Sequence, residues 1–242
     1  MHYISLGYFC SIAMDLEKLG LRSESSPFDW LISDFEGVIR AIENHFEDFL
    51  EPNYLVQNAH NRAHYKNVKY DFQFFHDFTQ YRPLLDQLPS VNDKYHRRIE
   101  RFYKSITEPT LFIRYINDKP GDDNVSKELR WIEDNYDTIL SLLKSFHNQN
   151  DILFIANDGV TSQKIKLYHV PKDAGDTVAR SPLTKTPDLQ EFFHNIDFPD
   201  RPLNIERYQQ KQEQKKKVRF KKKFTSLLNK LFRREYVHTQ LY

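Results

Sequence analysis

Cys10 is the only cysteine in the 242 residues, and it lies in Ser5-Leu6-Gly7-Tyr8-Phe9-Cys10-Ser11-Ile12-Ala13-Met14-Asp15-Leu16. A short apolar run at residues 3–6 meets Gly7 there, and a helical pattern begins at about residue 10. That spacing predicts Cys10 in the first turn of a helix. Unpaired backbone N–H groups and the helix dipole favour a thiolate at such a place and could also hold an oxyanion. The plain alternative is a packed thiol, because free cysteine is among the most buried residue types.

A thiol nucleophile needs a base, and His76 in Phe74-Phe75-His76-Asp77-Phe78 is the natural one to look for. Strand alternation would send His76 and Asp77 to opposite faces, so a group that orients His76 must come from elsewhere. Asp29, in Ser26-Pro27-Phe28-Asp29-Trp30, and Asp118 are the two candidates. Among the arginines, Arg98 falls beside the Tyr95/Phe102 stripe of a predicted helix, whereas Arg97 points away from it. Arg114 is flanked by Ile113 and Tyr115 in an apolar strand. A buried guanidinium there requires an anionic partner, either a substrate or a structural carboxylate such as Asp29 or Asp77. His60 and His64 have the i, i+4 spacing of a helical metal site but lack the glutamate of H-E-x-x-H and a third ligand. No metal is called for. With six glycines and no glycine-rich phosphate motif, the sequence also points to no nucleotide cofactor.

The elements that must position these groups alternate between strand and helix. Strands are expected at residues 3–6, 68–75, 110–116, 151–156 and 164–170. Helices are expected at about residues 10–19, 34–50, 90–106, 126–146 and 187–196, the second with Ser33 and Glu36 as a capping box. Residues 60–67 are polar without a clear period, and residues 171–187 read as loop. Continuous apolar strands between long helices predict an α/β fold with a mainly parallel central sheet covered by helices.

Charge divides the chain. The formal total is +1, yet residues 206–242 carry twelve Lys or Arg against three Glu, which leaves −8 for residues 1–205. An acidic Cys/His domain over 1–205 and a basic amphipathic helical tail over 206–242 are therefore expected. Phe220, Phe224, Leu227, Leu228, Leu231 and Phe232 recur at spacings of three and four among the basic residues. Such a tail could dock on an acidic protein surface or lie on an anionic membrane. Nucleic acid is the weaker match, since the body is acidic and no recognised motif is present. One cysteine permits no intramolecular disulfide and agrees with a cytoplasmic setting. The N-terminus reads as a strand rather than an export signal, and no run of about 20 apolar residues would span a bilayer.

Five ordered motifs, SLGYFC, SPFDW, FFHDF, YHRRIERF and LFIRY, resemble the putative papain-like cysteine peptidases, a bacterial family named for a predicted Cys/His site. The likeness is close over residues 3–116 and looser over 131–170. It implies Cys10 as nucleophile and His76 as base; beside them, Asp29 is the first candidate for the third member, and Ser5, Ser11, Asp77, Arg98 and Arg114 are candidates for contacts to the substrate. It also implies thiolate acyl chemistry: hydrolysis, or transfer from an acyl donor to a peptide or glycan, in the latter case in surface-polysaccharide biosynthesis at the cytoplasmic membrane face. A papain-like α+β fold, with the cysteine helix in one lobe and the histidine in a β-rich lobe, is the alternative architecture. A phosphorylated-ligand or nucleotide-sugar protein, using the inward arginines while Cys10 only packs, is the alternative function.

Overall fold

The computed structural model describes the backbone of residues 1–117, 127–171 and 179–238, and the surroundings of side chains as far as residue 226. Asp118, and residues 172–178 of the loop expected over 171–187, lie outside the described residues; the rest of that loop includes a short helix at Pro182–Lys185.

Four strands, β1 (His2–Ser5), β6 (Thr110–Ile116), β7 (Asp151–Asn157) and β8 (Leu167–Val170), form a wholly parallel sheet in that order. The alternation of β6 explains how both faces are covered. Phe112 and Ile116 pack with α2 (Phe35–Glu43), α3 (Leu84–Ile106) and α4 (Lys127–Phe146) on one side, while Ile113 and Tyr115 pack with α1 (Ser11–Lys18), α5 (Pro182–Lys185) and α6 (Pro187–His194) on the other. The expected α/β architecture is the one observed.

A second, antiparallel sheet holds β2 (Leu31–Ser33), β5 (Phe72–Phe74), β4 (Tyr65–Asn67) and β3 (Leu55–Gln57) in that order. It is inserted between α1 and α3 in the chain and shares the core of the first face. Phe28 anchors the segment leading into β2, with ring centroids 5.3 Å from Phe46, 5.7 Å from Phe102 and 6.1 Å from Phe72. Burying so large an aromatic surface fixes the chain on both sides of it. Asp29 and Trp30 therefore follow from a rigid point.

The last described helix, α7 (Arg201–His238), begins before the expected tail. Its first turns are tied to the body: Arg201 donates to the carbonyls of Leu19, His194 and Ile196, and Asn204 Nδ2 donates to Gly20 O at 3.1 Å. Lys211 pairs with Glu17 at 2.5 Å. Beyond Gln212, every residue with described surroundings is exposed. Among the described residues, no helix is long and apolar enough to cross a membrane.

Candidate active site

The turn after β1 is built around a buried arginine. Arg114, on β6, reaches across the chain with all five N–H donors engaged. Nε and Nη2 each donate to Glu128 of α4 at 2.7 Å. Nη1 donates to Leu6 O at 2.8 Å and Ser33 Oγ at 3.0 Å, and Nη2 donates to Ser33 O at 2.8 Å. Gly7 makes this crossing feasible: a Cβ there would stand 2.2 Å from Ser33 Oγ and 2.9 Å from Arg114 Nη1, and its φ of +83° favours glycine. Ser5 Oγ accepts the Gly7 N–H at 3.2 Å. The sequence SLGYFC is thus a strand end and a tight passage beneath a fixed guanidinium, which delivers Cys10 to the start of α1. The structure corrects two expectations for Arg114: its carboxylate is Glu128, not Asp29 or Asp77, and no donor is left over to bind a substrate. Fully buried Ser5 likewise serves the turn.

Cys10 is the N-cap residue of α1, with 9% of its surface exposed. The first bond of the helix runs from Met14 N to Cys10 O, at 2.9 Å. The N–H groups of Ser11, Ile12 and Ala13 precede that ladder, and helix geometry gives them no intrahelical acceptor. The expected thiolate environment is nevertheless outweighed. Burial raises the Cys10 thiol above its ordinary value, and the negative charge of Asp29 adds to the rise, against a smaller lowering by the backbone. Cys10 rests as a neutral thiol at pH 7.

Asp29 is fully buried beside two cations. It forms an ion pair with Arg22, accepts the Ser26 N–H at 2.8 Å and lies in the field of Arg98, but burial still raises its carboxyl above the ordinary range. Asp29 does not hydrogen-bond His76. The neighbouring Trp30 touches it instead, the indole and imidazole meeting edge to face at 6.3 Å. His76 is exposed in the bend after β5, and no hydrogen bond joins it to Cys10 among the described residues. Asp77 turns inward, although it lies past the end of β5 in the same bend as His76, where the expected strand alternation does not apply. It pairs with Lys94 and accepts the Tyr95 hydroxyl at 3.1 Å, which fastens the histidine-bearing bend to α3. Arg98 is half-buried over the Tyr95 ring at 5.2 Å, and Arg97 is exposed, in agreement with the helical geometry read from the sequence.

The site also has unsatisfied capacity. Among the described residues, Ser11 Oγ, Arg22 Nε, Ser26 Oγ, Asp29 Oδ1 and Arg98 Nη1 are buried without a hydrogen-bond partner. Arg22, Ser26 and Asp29 line a cavity of about 180 Å³ together with Ser25 and Arg101. Arg22 and Ser26 were missed in the sequence reading. A signal was available: Arg22 lies seven residues before Asp29, and a buried aspartate needs a cation nearby. His60 and His64 lie in a turn rather than on a helix, so their i, i+4 spacing does not place them together as metal ligands; the His64 ring packs on Phe75 at 4.3 Å.

No solved structure matches the chain. The "Uncharacterized protein R408" of Acanthamoeba polyphaga mimivirus is 32% identical over 176 residues, covering 64% of this chain and 77% of that protein. The family described as "Putative papain-like cysteine peptidase (DUF1796)" matches residues 1–144, which contain Cys10, Asp29, His76, Arg98 and Arg114. With its matched region spanning more than half of the 242 residues, the chain belongs to this papain-like cysteine peptidase family.

Proposed function

We propose that the protein is a cysteine-dependent acyl-transfer enzyme in which Cys10 is the nucleophile and His76 the base. The observation that supports this reading best is the position of Cys10: a thiol at a helix N-cap, just past a parallel strand, with backbone N–H groups ahead of the helical ladder. Because the resting thiol is neutral, the reaction follows general-base catalysis rather than a preformed ion pair. Substrate binding brings the exposed His76 ring to within about 3 Å of the thiol, a tightening common between free and substrate-bound enzymes. His76 takes the thiol proton, and sulfur attacks the carbonyl carbon. The oxyanion is held by the N–H groups of the first turn of α1. Collapse expels the leaving group with the proton from His76, and water, an alcohol or an amine then releases the acyl group from Cys10. Asp29 acts on the thiol electrostatically, with Trp30 as the contact that places His76.

The test is hydrolysis of a panel of esters, thioesters and peptides by the intact chain. Cys10→Ala is expected to abolish turnover, and His76→Ala to reduce it by about 10²- to 10⁴-fold. Hydrolysis that survives Cys10→Ala undiminished rules the reading out.

One observation favours a second reading. Arg98 Nη1 is buried without a partner, so Arg98, no longer accompanied by Arg114, could hold a phosphate or carboxylate of a ligand. Thermal stabilisation by a phosphate monoester that is lost in Arg98→Ala but kept in Cys10→Ser would select ligand binding over thiol chemistry.

A further inference from the structure

We infer that the exposed part of α7, residues 213–226, is a docking surface for an anionic lipid bilayer. The segment holds seven cations, Lys215, Lys216, Lys217, Arg219, Lys221, Lys222 and Lys223, and a single acid, Glu213. None of the seven meets a carboxylate among the described residues, although the body to which α7 is tied carries the opposite net charge. The helix instead carries its charge away from its own acidic domain. The described part of the chain offers these cations no anionic surface, so they are open to one from outside it.

The aromatic residues identify the kind of partner. Phe220 is 71% exposed and Phe224 54%, and their rings stack one turn apart at 6.4 Å. At about 100° per residue, Lys216, Lys217 and Lys223 lie within about 60° of Phe220, and Lys221 lies a similar distance from Phe224. Paired phenylalanines flanked by long cationic side chains suit the boundary between headgroups and acyl chains. The rings enter the apolar layer there, while the ammonium groups reach back to the phosphates. An acidic protein surface would neutralise the charges but would leave the two rings without an apolar layer to enter. The region matched by the family ends at residue 144, so this surface is an attachment to the family's domain, separate from the Cys10 site.

The experiment is co-sedimentation of the full chain with vesicles of phosphatidylcholine alone or with about 30% phosphatidylglycerol, at low and at high salt. Binding to the anionic vesicles is expected to exceed binding to the neutral ones by at least about tenfold and to fall as salt screens the charges. Phe220→Ser/Phe224→Ser and Lys221→Glu/Lys222→Glu/Lys223→Glu, both at exposed positions with helicity checked by circular dichroism, should each weaken binding by about tenfold or more. Absence of binding at low salt, or equal binding to both kinds of vesicle, overturns the proposal. So does undiminished binding of the phenylalanine variant, which would reduce the contact to charge alone. Tighter binding to single-stranded RNA than to anionic vesicles, or dimerisation that disappears with the lysine variant, would reassign the surface to nucleic acid or to a second copy of the chain.

Discussion

Two buried arginine–carboxylate groups adjoin the Cys10 turn, and they differ in how completely they are satisfied. In the first, Arg114 and Glu128 face each other through two bonds while Leu6 and Ser33 take the remaining donors. In the second, Asp29 meets Arg22 and the Ser26 N–H, yet Asp29 Oδ1, Arg22 Nε and Arg98 Nη1 have no partner. Buried polar groups left unpaired cost free energy, so a closed network is what structure alone requires. An open one beside a cavity and a buried thiol retains capacity for something that binds. The closed group fixes the backbone that carries Cys10, and the open group sets the electrostatics around its sulfur.

Breaking the closed group should have the largest effect. Arg114→Ala or Glu128→Ala strands a buried charge and should cost about 3–5 kcal/mol in urea unfolding, whereas Arg114→Met/Glu128→Leu, which removes both charges, should cost less than either single change. If the double variant is the least stable of the three, the pair contributes more than mutual neutralisation. Gly7→Ala tests the same region more locally. The added methyl collides with Ser33 Oγ and imposes a side chain on a positive φ, so a loss of more than about 1 kcal/mol is expected by thermal or urea unfolding. In the open group, Asp29→Asn should have a smaller effect on stability and a directional effect on chemistry. Asp29 raises the Cys10 thiol; removing its charge lowers that value, so the rate of iodoacetamide alkylation should rise at a lower pH than in the unaltered chain. A midpoint that stays put or moves upward would show that Asp29 does not act on the sulfur. His76→Ala, in contrast, should leave the alkylation profile nearly unchanged, because no hydrogen bond joins it to the resting thiol.

The contrast also shows what could be read from the sequence. Uninterrupted apolar runs were legible: β6 spans Thr110–Ile116 as expected, and α4 and β7 differ from their expected bounds by one residue. Short, half-polar strands were not. β2 and β3 have three residues each, too few for a period to emerge; β2 exists because it pairs with β5, distant in sequence, and β3 because it pairs with β4 across a hairpin. Ser33 shows the same limit. It looks like a helix cap, but it is paired in β2 and receives Arg114, so Asp34 caps α2 through the Gly37 N–H. α2 itself stops at Glu43 rather than continuing to residue 50, since His45, Phe46 and Asp48 adopt positive φ. α3 begins at Leu84, ahead of the expected residue 90, and Pro89 lies inside it. At the site, the cysteine position and the inward turn of Arg98 follow from helix geometry. The partners of Arg114 and Asp29 do not, because Glu128 and Arg22 are assembled by packing. The rise in the Cys10 thiol was hidden for the same reason, since burial and a neighbouring carboxylate are properties of the folded chain.

The account rests on sulfur at position 10 carrying an acyl group during turnover. Brief incubation of the intact chain with an activated thioester, followed by acid quenching and peptide mass mapping, reads this directly. The account predicts one acyl group on Cys10, formed about 10²-fold or more slowly in His76→Ala and absent from that peptide in Cys10→Ala. An unmodified Cys10 while the thioester is consumed, or acylation at the same rate without His76, would contradict it.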